Sequence, residues 1–507
     1  MIPLALAIVA ALLHAATAWR YGYFRDELYF IACSKHLAWG YVDQPPIVAV
    51  AARLAAPAGY ELLALRALPI LAAALTVYVT AALCRELGGK PFAQLLAGVA
   101  TLAMPAYLLL GNTLTTSSFE PLCWTLAFYC AIRIVRTPHG IAKWWTALAV
   151  VAAFGMYAKY SMLLAIVGIG AGLLATPQRA VLRSPYPLCA VALGFAMLAP
   201  NLAWQATHGW PIVEVLQGDA THRPPLQNGL VLESYNVATN ALRFVLEQLL
   251  YTNPIAAPIW LIGAIAPFRL AVLRDLRCVT VAYAVILLIA AALAAKGYYV
   301  VGVYATLITL GAVAIEGTAV AFRSALFALL AAVALVALPL SLPVLPVGDL
   351  IVYSRLLGIT GRNGAPPQLV QPVFAEEFGW SRLARDVASV YFSLPPQVRD
   401  RTAIYADTYA DAGALDFFGP RYGLPSAISS QNSYFLWGTG GYDGTTLVAI
   451  GATRIDRLRR FYRSVVLVRT SAEPLKWIVE GPAPIYLCRY PIAPLPVIWP
   501  ALRWYGA

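Results

Sequence analysis

Arg20–Pro46 reads "RYGYFRDELYFIACSKHLAWGYVDQPP". It follows the apolar opening "MIPLALAIVAALLHAATAW" and precedes the apolar segments that resume after Glu61. It gathers Arg25, Asp26, Glu27, Lys35, His36 and Asp43 in a chain of 507 residues that is 60% hydrophobic and 12% charged, with a mean hydropathy of +0.70. Soluble domains carry about a quarter charged residues, so the composition defines a polytopic membrane protein. A net charge of +12 is then explained by positively charged connections and contact with anionic lipid, not by nucleic acid. The seven cysteines show no CxxC pairing, which implies neither a zinc site nor a disulfide framework. The opening segment lacks a basic leader and reads as a retained first helix.

A span needs about 20 apolar residues. Such stretches lie near 1–19, 61–84, 91–110, 119–136, 144–158, 160–176, 186–205, 245–268, 278–296, 298–316 and 323–346, predicting about eleven transmembrane helices. Lys and Arg cluster in alternate connections: Arg85 and Lys90; Arg133, Arg136 and Lys143; Arg179 and Arg183; Arg269, Arg274 and Arg277; Arg323. Those connections are expected in the cytoplasm. The first outer loop 20–60, the second long loop 206–244 and everything beyond residue 346 are then expected to face outward. Residues 1–346 are expected to form the membrane module and residues 347–507 a small domain on the outer membrane face. That domain opens on a Gly/Pro-rich linker, "GITGRNGAPPQLVQP". "WSRLARDVASVYFSL" and "RIDRLRRFY" predict helices, while "TAIYADTY", "SVVLVRT" and "APIYLCRY" predict strands, giving an α/β fold. No internal repeat of the kind that builds many transporters is visible.

Asp26 and Glu27 admit two readings, a solvated helix end or a functional pair, since acids beside membrane segments are expensive. Tyr29, Phe30, Lys35, His36, Leu37 and Trp39 fit an interfacial helix, and a carboxylate beside cations suits a phosphate-bearing lipid. "GYVDQPP" is a turn stiffened by two prolines. Glu120 in "TTSSFEP" either compensates a helix N-terminus or serves as a second acid near a sugar or metal. Lys159 in "YAKYS" and Lys296 in "KGYY" either snorkel to the interface or clamp phosphate, Lys296 with Tyr298 and Tyr299. In "THGWPIVEVLQGDATHRPP", His208, His222 and Arg223 are within the chemistry of phosphate binding, and Glu214 and Asp219 of acceptor binding. Gln431, Asn432, Tyr434 and Trp437 pack a core or face a sugar.

Taken in order, "DELYF…HLAWGYVDQPP", "LTTSSFEPLCWTLAFY", "GMYAKYSMLL", "NLAWQATHGWP", "KGYYVVGVY" and "PRYGLPSAISSQNSYFLWG" resemble the dolichyl-phosphate-mannose protein mannosyltransferase-like family. These are glycosyltransferases of the GT-C fold (glycosyltransferase family 39), and the bacterial aminoarabinose transferases of lipid A are relatives. The resemblance covers nearly the whole chain. It implies an inverting transferase in the bacterial inner membrane, with its active site on the periplasmic side. Such an enzyme moves a sugar from a polyprenyl (undecaprenyl) phosphate donor to an acceptor hydroxyl on an envelope glycolipid, lipid A, polysaccharide or protein. Asp26 is then the general base and Glu27 its neighbour. Tyr41, Asp43 and Gln44 border the donor phosphate with Lys159, Lys296, Tyr298, Tyr299 and Arg223, and Glu120, His36, Asn432 and Trp437 meet sugar or acceptor. The aminoarabinose transferases carry a lysine where Gln44 stands. A divalent ion is used by some relatives; the candidates here are Asp43, Glu120 and His208. No Walker loop is present. A protein O-mannosyltransferase is the alternative within the class, and a lipid-linked sugar transporter or flippase the alternative outside it.

Overall fold

The computed structural model describes residues 1–137, 140–221, 237–293, 295–359, 372–451, 455–476 and 482–506. Two compact units emerge. The first comprises Met1–Arg20, Arg66–Ala203 and Leu232–Leu345; the second comprises Tyr21–Leu65, Trp204–Val231 and Pro346–Ala507.

The first unit is helical. Among the described residues, seven helices of the chain are long and apolar enough to cross a membrane, or nine if each of two bent pairs is one span. Ile2–Thr17 and Ala257–Arg269 are shorter apolar helices. Punctuation in the sequence sets the breaks. Pro105, which has no N–H to give the preceding turn, starts Pro105–Gly111 at 66° to Pro91–Leu102. The stretch 245–268, expected as one helix, is two, Val237–Tyr251 and Ala257–Arg269. Asn253 between them takes a left-handed φ of 67°, immediately before Pro254; Asn tolerates that region.

Lipid offers helices little hydrophobic drive to associate, so close backbone packing carries more of it. Gly263 and Gly311 show this: a Cβ on either would lie 1.9 Å from a backbone carbonyl oxygen, of Leu307 and Ile259 respectively. Leu6, Ala7 and Ala10 pack similarly on Ala74, Val77 and Ala81. Val320–Ser341, by contrast, buries little of its surface, as a lipid-facing helix does.

The second unit is built on a five-stranded mixed sheet. Its strands are β1 (Thr402–Ala406), β2 (Ala427–Ser429), β3 (Thr446–Ile450), β4 (Tyr462–Ser471) and β5 (Ala483–Pro491), in the order β2-β1-β3-β5-β4. β1 runs parallel to β2 and β3, while β5 is antiparallel to β3 and β4. Tyr405, Leu447, Leu458, Cys488, Leu495 and Trp499 fill its core. "TAIYADTY" is a strand only to Ala406; Thr408 then caps the helix Tyr409–Phe418, its hydroxyl accepting the Asp411 N–H at 3.1 Å.

The opening stretch belongs to this unit. Arg25–Lys35 is a helix with eight of its residues buried, Tyr29 and Phe30 included. It is therefore a core helix of the unit rather than one lying in a lipid interface; only Leu37 and Trp39, beyond its end, are exposed apolar residues. Gly413 is the reason Tyr409–Phe418 can lie against it: a Cβ there would sit 2.8 Å from the backbone carbon of Leu28.

Candidate active site

Two clusters carry the chemistry, one in each unit. In the second unit, Phe24 precedes the helix Arg25–Lys35. Glu27, fully buried, accepts the Phe24 N–H at 2.9 Å, the reciprocal half of a capping box. Its neighbour Asp26 is differently placed. Its side chain is 27% exposed, and Oδ1 lies 3.4 Å from Arg25 Nε. The same oxygen accepts the Tyr409 hydroxyl at 2.9 Å. Among the described residues no donor engages Oδ2. Arg25 also lies 3.4 Å from Glu376.

A second acid stands nearby. The Tyr29 hydroxyl donates to Asp43 Oδ1 at 2.8 Å and accepts the Ser433 N–H at 3.2 Å. Desolvation pushes the Asp43 carboxyl up to about 7 against the Tyr29 hydrogen bond, and the negative charge of Asp26 adds to the rise. The Tyr29 and Tyr409 rings pack tilted against each other, with centroids 4.6 Å apart. Burial pushes both hydroxyls well above the usual phenol range, so both stay protonated donors. Asn432, fully buried at a left-handed φ of 48°, holds the Gly506 N–H through its side-chain oxygen. Gln431 accepts the Tyr409 N–H at 2.7 Å.

His36 and Trp437 do meet, stacked at 4.3 Å, with Tyr434 4.5 Å from Trp437 and bonded to Asp416 at 2.7 Å. Burial lowers the His36 imidazole against the opposing pull of Asp416. Tyr41 and Gln44 are placed inward. The buried Tyr41 hydroxyl caps the helix end by donating to the carbonyls of Cys33 and His36, each at 3.1 Å. Buried Gln44 donates to Cys33 Sγ at 3.6 Å. His208 stacks on Trp204 at 4.1 Å, and Glu214 pairs with Arg503 at 3.2 Å. Arg223 and His222 lie outside the described residues, as does the side chain of Asp219.

In the first unit, the helix break at "KYS" leaves Lys159 in extended backbone after Ile141–Ala158. Its ammonium lies 3.3 Å from buried Glu120 Oε2 and donates to Ser117 at 2.6 Å. It also lies over both Tyr298 and Tyr299, at 4.7 and 4.2 Å from the ring centroids. Ser161 donates a short hydrogen bond to the other Glu120 oxygen. Sequence reasoning paired the tyrosines with Lys296; the cation shown over both rings is Lys159, while the Lys296 carbonyl accepts the Tyr299 N–H at 3.0 Å.

Among the described residues no three His, Cys, Asp or Glu side chains converge as metal ligands. In the second unit Asp43 accepts from Tyr29 and His208 stacks on Trp204; in the first, Glu120 pairs with Lys159 and accepts from Ser161. Tyr409 is the residue that sequence reasoning missed. The signal for it was Thr408-x-x-Asp411, a helix-start pattern that overlaps the end of the expected strand.

A many-helix membrane unit, with a mixed-sheet unit that takes in the first loop and presents an acid at that loop's start, defines a GT-C fold protein. Residues 43–204 match the sequence model of the family described as dolichyl-phosphate-mannose-protein mannosyltransferase, so the resemblance is borne out over that stretch. The chain is similar over 95% of its length to ArnT from Cupriavidus metallidurans in the apo state, covering 97% of that chain at 14% identity with a TM-score of 0.60. The same protein bound to undecaprenyl phosphate gives 15% identity, the same coverage and a TM-score of 0.59. No curated protein matches the sequence.

Proposed function

We propose that the protein transfers a sugar from a polyprenyl-phosphate donor to an acceptor hydroxyl, with inversion, and that Asp26 is the general base. The observation that carries this reading is the state of the Asp26 carboxylate: Oδ1 is held by Tyr409 and Arg25, and Oδ2 is free of donors among the described residues. An acceptor hydroxyl is a poor nucleophile until a carboxylate within hydrogen-bond reach takes its proton. In the reaction, the acceptor oxygen forms its bond to the anomeric carbon while its proton passes to Asp26 Oδ2. The bond from that carbon to the phosphate oxygen breaks, and the lipid phosphate leaves with the electron pair.

Several features of the chain support the donor. Lys159 with Tyr298 and Tyr299 has the charge and hydroxyl chemistry to stabilise a leaving phosphate. Asp43, uncharged below about pH 7, offers a proton rather than a repelling charge to such a group. The likeness to a fold known with undecaprenyl phosphate bound favours a polyprenyl carrier. His36 stacked on Trp437 offers an aromatic surface of the kind sugars and polar acceptors use. We place the chain in the bacterial inner membrane with eleven spans, counting the two bent pairs and the two shorter apolar helices, and with the site on the periplasmic face. Its acceptor is an envelope glycolipid, lipid A or polysaccharide.

The test is to incubate the purified protein with undecaprenyl phosphate carrying mannose, glucose, galactose or aminoarabinose, together with an envelope extract. The reading predicts release of undecaprenyl phosphate and a product of inverted anomeric configuration, seen by mass spectrometry and NMR. Intact donor carried across a sealed vesicle without cleavage would instead make the protein a transporter.

A further inference from the structure

We infer that Tyr409, carried by the C-terminal segment, is the positioning residue of the Asp26 base; the inference rests on the reading of Asp26 just given. A carboxylate on a short side chain can turn, presenting either oxygen to an acceptor. Here one oxygen is tied and the other left open, and the tie spans 383 positions of sequence.

Tyr409 itself has little freedom. It is 8% exposed, its ring packs at a tilt against Tyr29, and its N–H is held by Gln431, whose amide in turn donates to the Gly506 carbonyl at 2.9 Å. Thr408 caps its helix, and Gly413 seats that helix against the backbone of Leu28. A donor fixed by its own backbone and ring is the kind of support that keeps a catalytic group within productive geometry. Arg25 cannot replace it: its guanidinium is drawn toward both Asp26 and Glu376, at 3.4 Å each. The groups around Asp26 are thus Arg25 and Tyr29 from its own helix, Asp43 from the turn, Glu376, and Tyr409. Of these, Tyr409 is the neutral donor bonded directly to Oδ1. The C-terminal segment therefore completes the base rather than only recognising an acceptor.

Tyr409→Phe keeps the ring contact with Tyr29 and removes the hydroxyl alone. A misplaced reacting group costs on the order of a hundredfold in rate. With the undecaprenyl-phosphate sugar that the donor panel identifies, kcat is expected to fall by about ten- to a hundredfold, with KM for the donor unchanged. In the Asp26→Asn background, Tyr409→Phe is expected to cost nothing more, because residues acting as one unit are not additive. The melting temperature of Tyr409→Phe separates positioning from stability: it should stay near that of the wild type while kcat falls. Unchanged kcat in Tyr409→Phe, a full further loss in the double variant, or a kcat loss in Tyr409→Phe matched by a collapse of its melting temperature would overturn the positioning role while leaving the base reading standing. Full transfer by Asp26→Asn would remove the base reading itself.

Discussion

Asp43 is where the chemistry of one side chain makes a measurable demand on the whole fold. An Asp titrates near 3.9 in an unfolded chain, whereas burial holds Asp43 near 7. Below both values the group is protonated in both states and contributes nothing to pH dependence. Between them the unfolded chain gives up its proton and the folded one does not, so stability falls as pH rises; above about 7 the penalty is complete. A shift of this size corresponds to ~4 kcal/mol as an upper figure. Asp43→Asn, neutral at every pH and still able to accept from Tyr29, removes that dependence. The variant is expected to melt with the wild type near pH 4 and above it at pH 8, as followed by thermal unfolding in detergent. A constant difference between the two across that range would show that Asp43 ionises normally. The residue-level map was partly legible: Asp26, Asp43, His36 and Trp437 stood out as charges and aromatics in an apolar chain, but the stack of His36 on Trp437 did not. Tyr41 and Gln44 were singled out only by the family resemblance, and both are buried inward. Residue type in a loop does not say which face the turn presents.

At the scale of elements, apolar runs and punctuation located the helices well, because length and hydropathy are local properties. Each of the eleven expected stretches contains helix. The break at Asn253–Pro254 was hidden by unbroken hydropathy on both sides. Among the strands, β4 and β5 announced themselves as alternating or β-branched runs. β2 has three residues and lies in a turn-rich segment, so it carries too little pattern to be read. The strand expected in "TAIYADTY" overran into the first residue of the Tyr409–Phe418 helix, and only the Thr-x-x-Asp start marked the change. Its packing yields a prediction. Gly413→Val would force a side chain into the backbone of Leu28, and overpacking of this kind costs about 1–3 kcal/mol. A lowered melting temperature together with reduced transfer is expected, since the same helix carries Tyr409. Wild-type melting in that variant would mean the two helices can separate without penalty.

The molecule as a whole joins segments that the sequence keeps far apart. The first loop, a short piece after residue 203 and the C-terminal 160-odd positions share one compact unit, so the segment beyond residue 346 is not a self-contained appendage. No local pattern announces such an assembly; it depends on pairs such as Asp26 with Tyr409 and Val42 with Ser433, which bonds to the Val42 N–H at 3.2 Å. The family resemblance supplied the expected fold where composition supplied only the membrane, and the structural likeness to ArnT over nearly the whole chain agrees with it. The central claim is that Asp26 removes the acceptor proton. Single-turnover transfer by Asp26→Asn, reconstituted in lipid nanodiscs with a saturating undecaprenyl-phosphate sugar, tests it most directly. The account predicts a loss of at least about a hundredfold, the scale of general-base catalysis, with donor binding unchanged; transfer at the wild-type rate would contradict it.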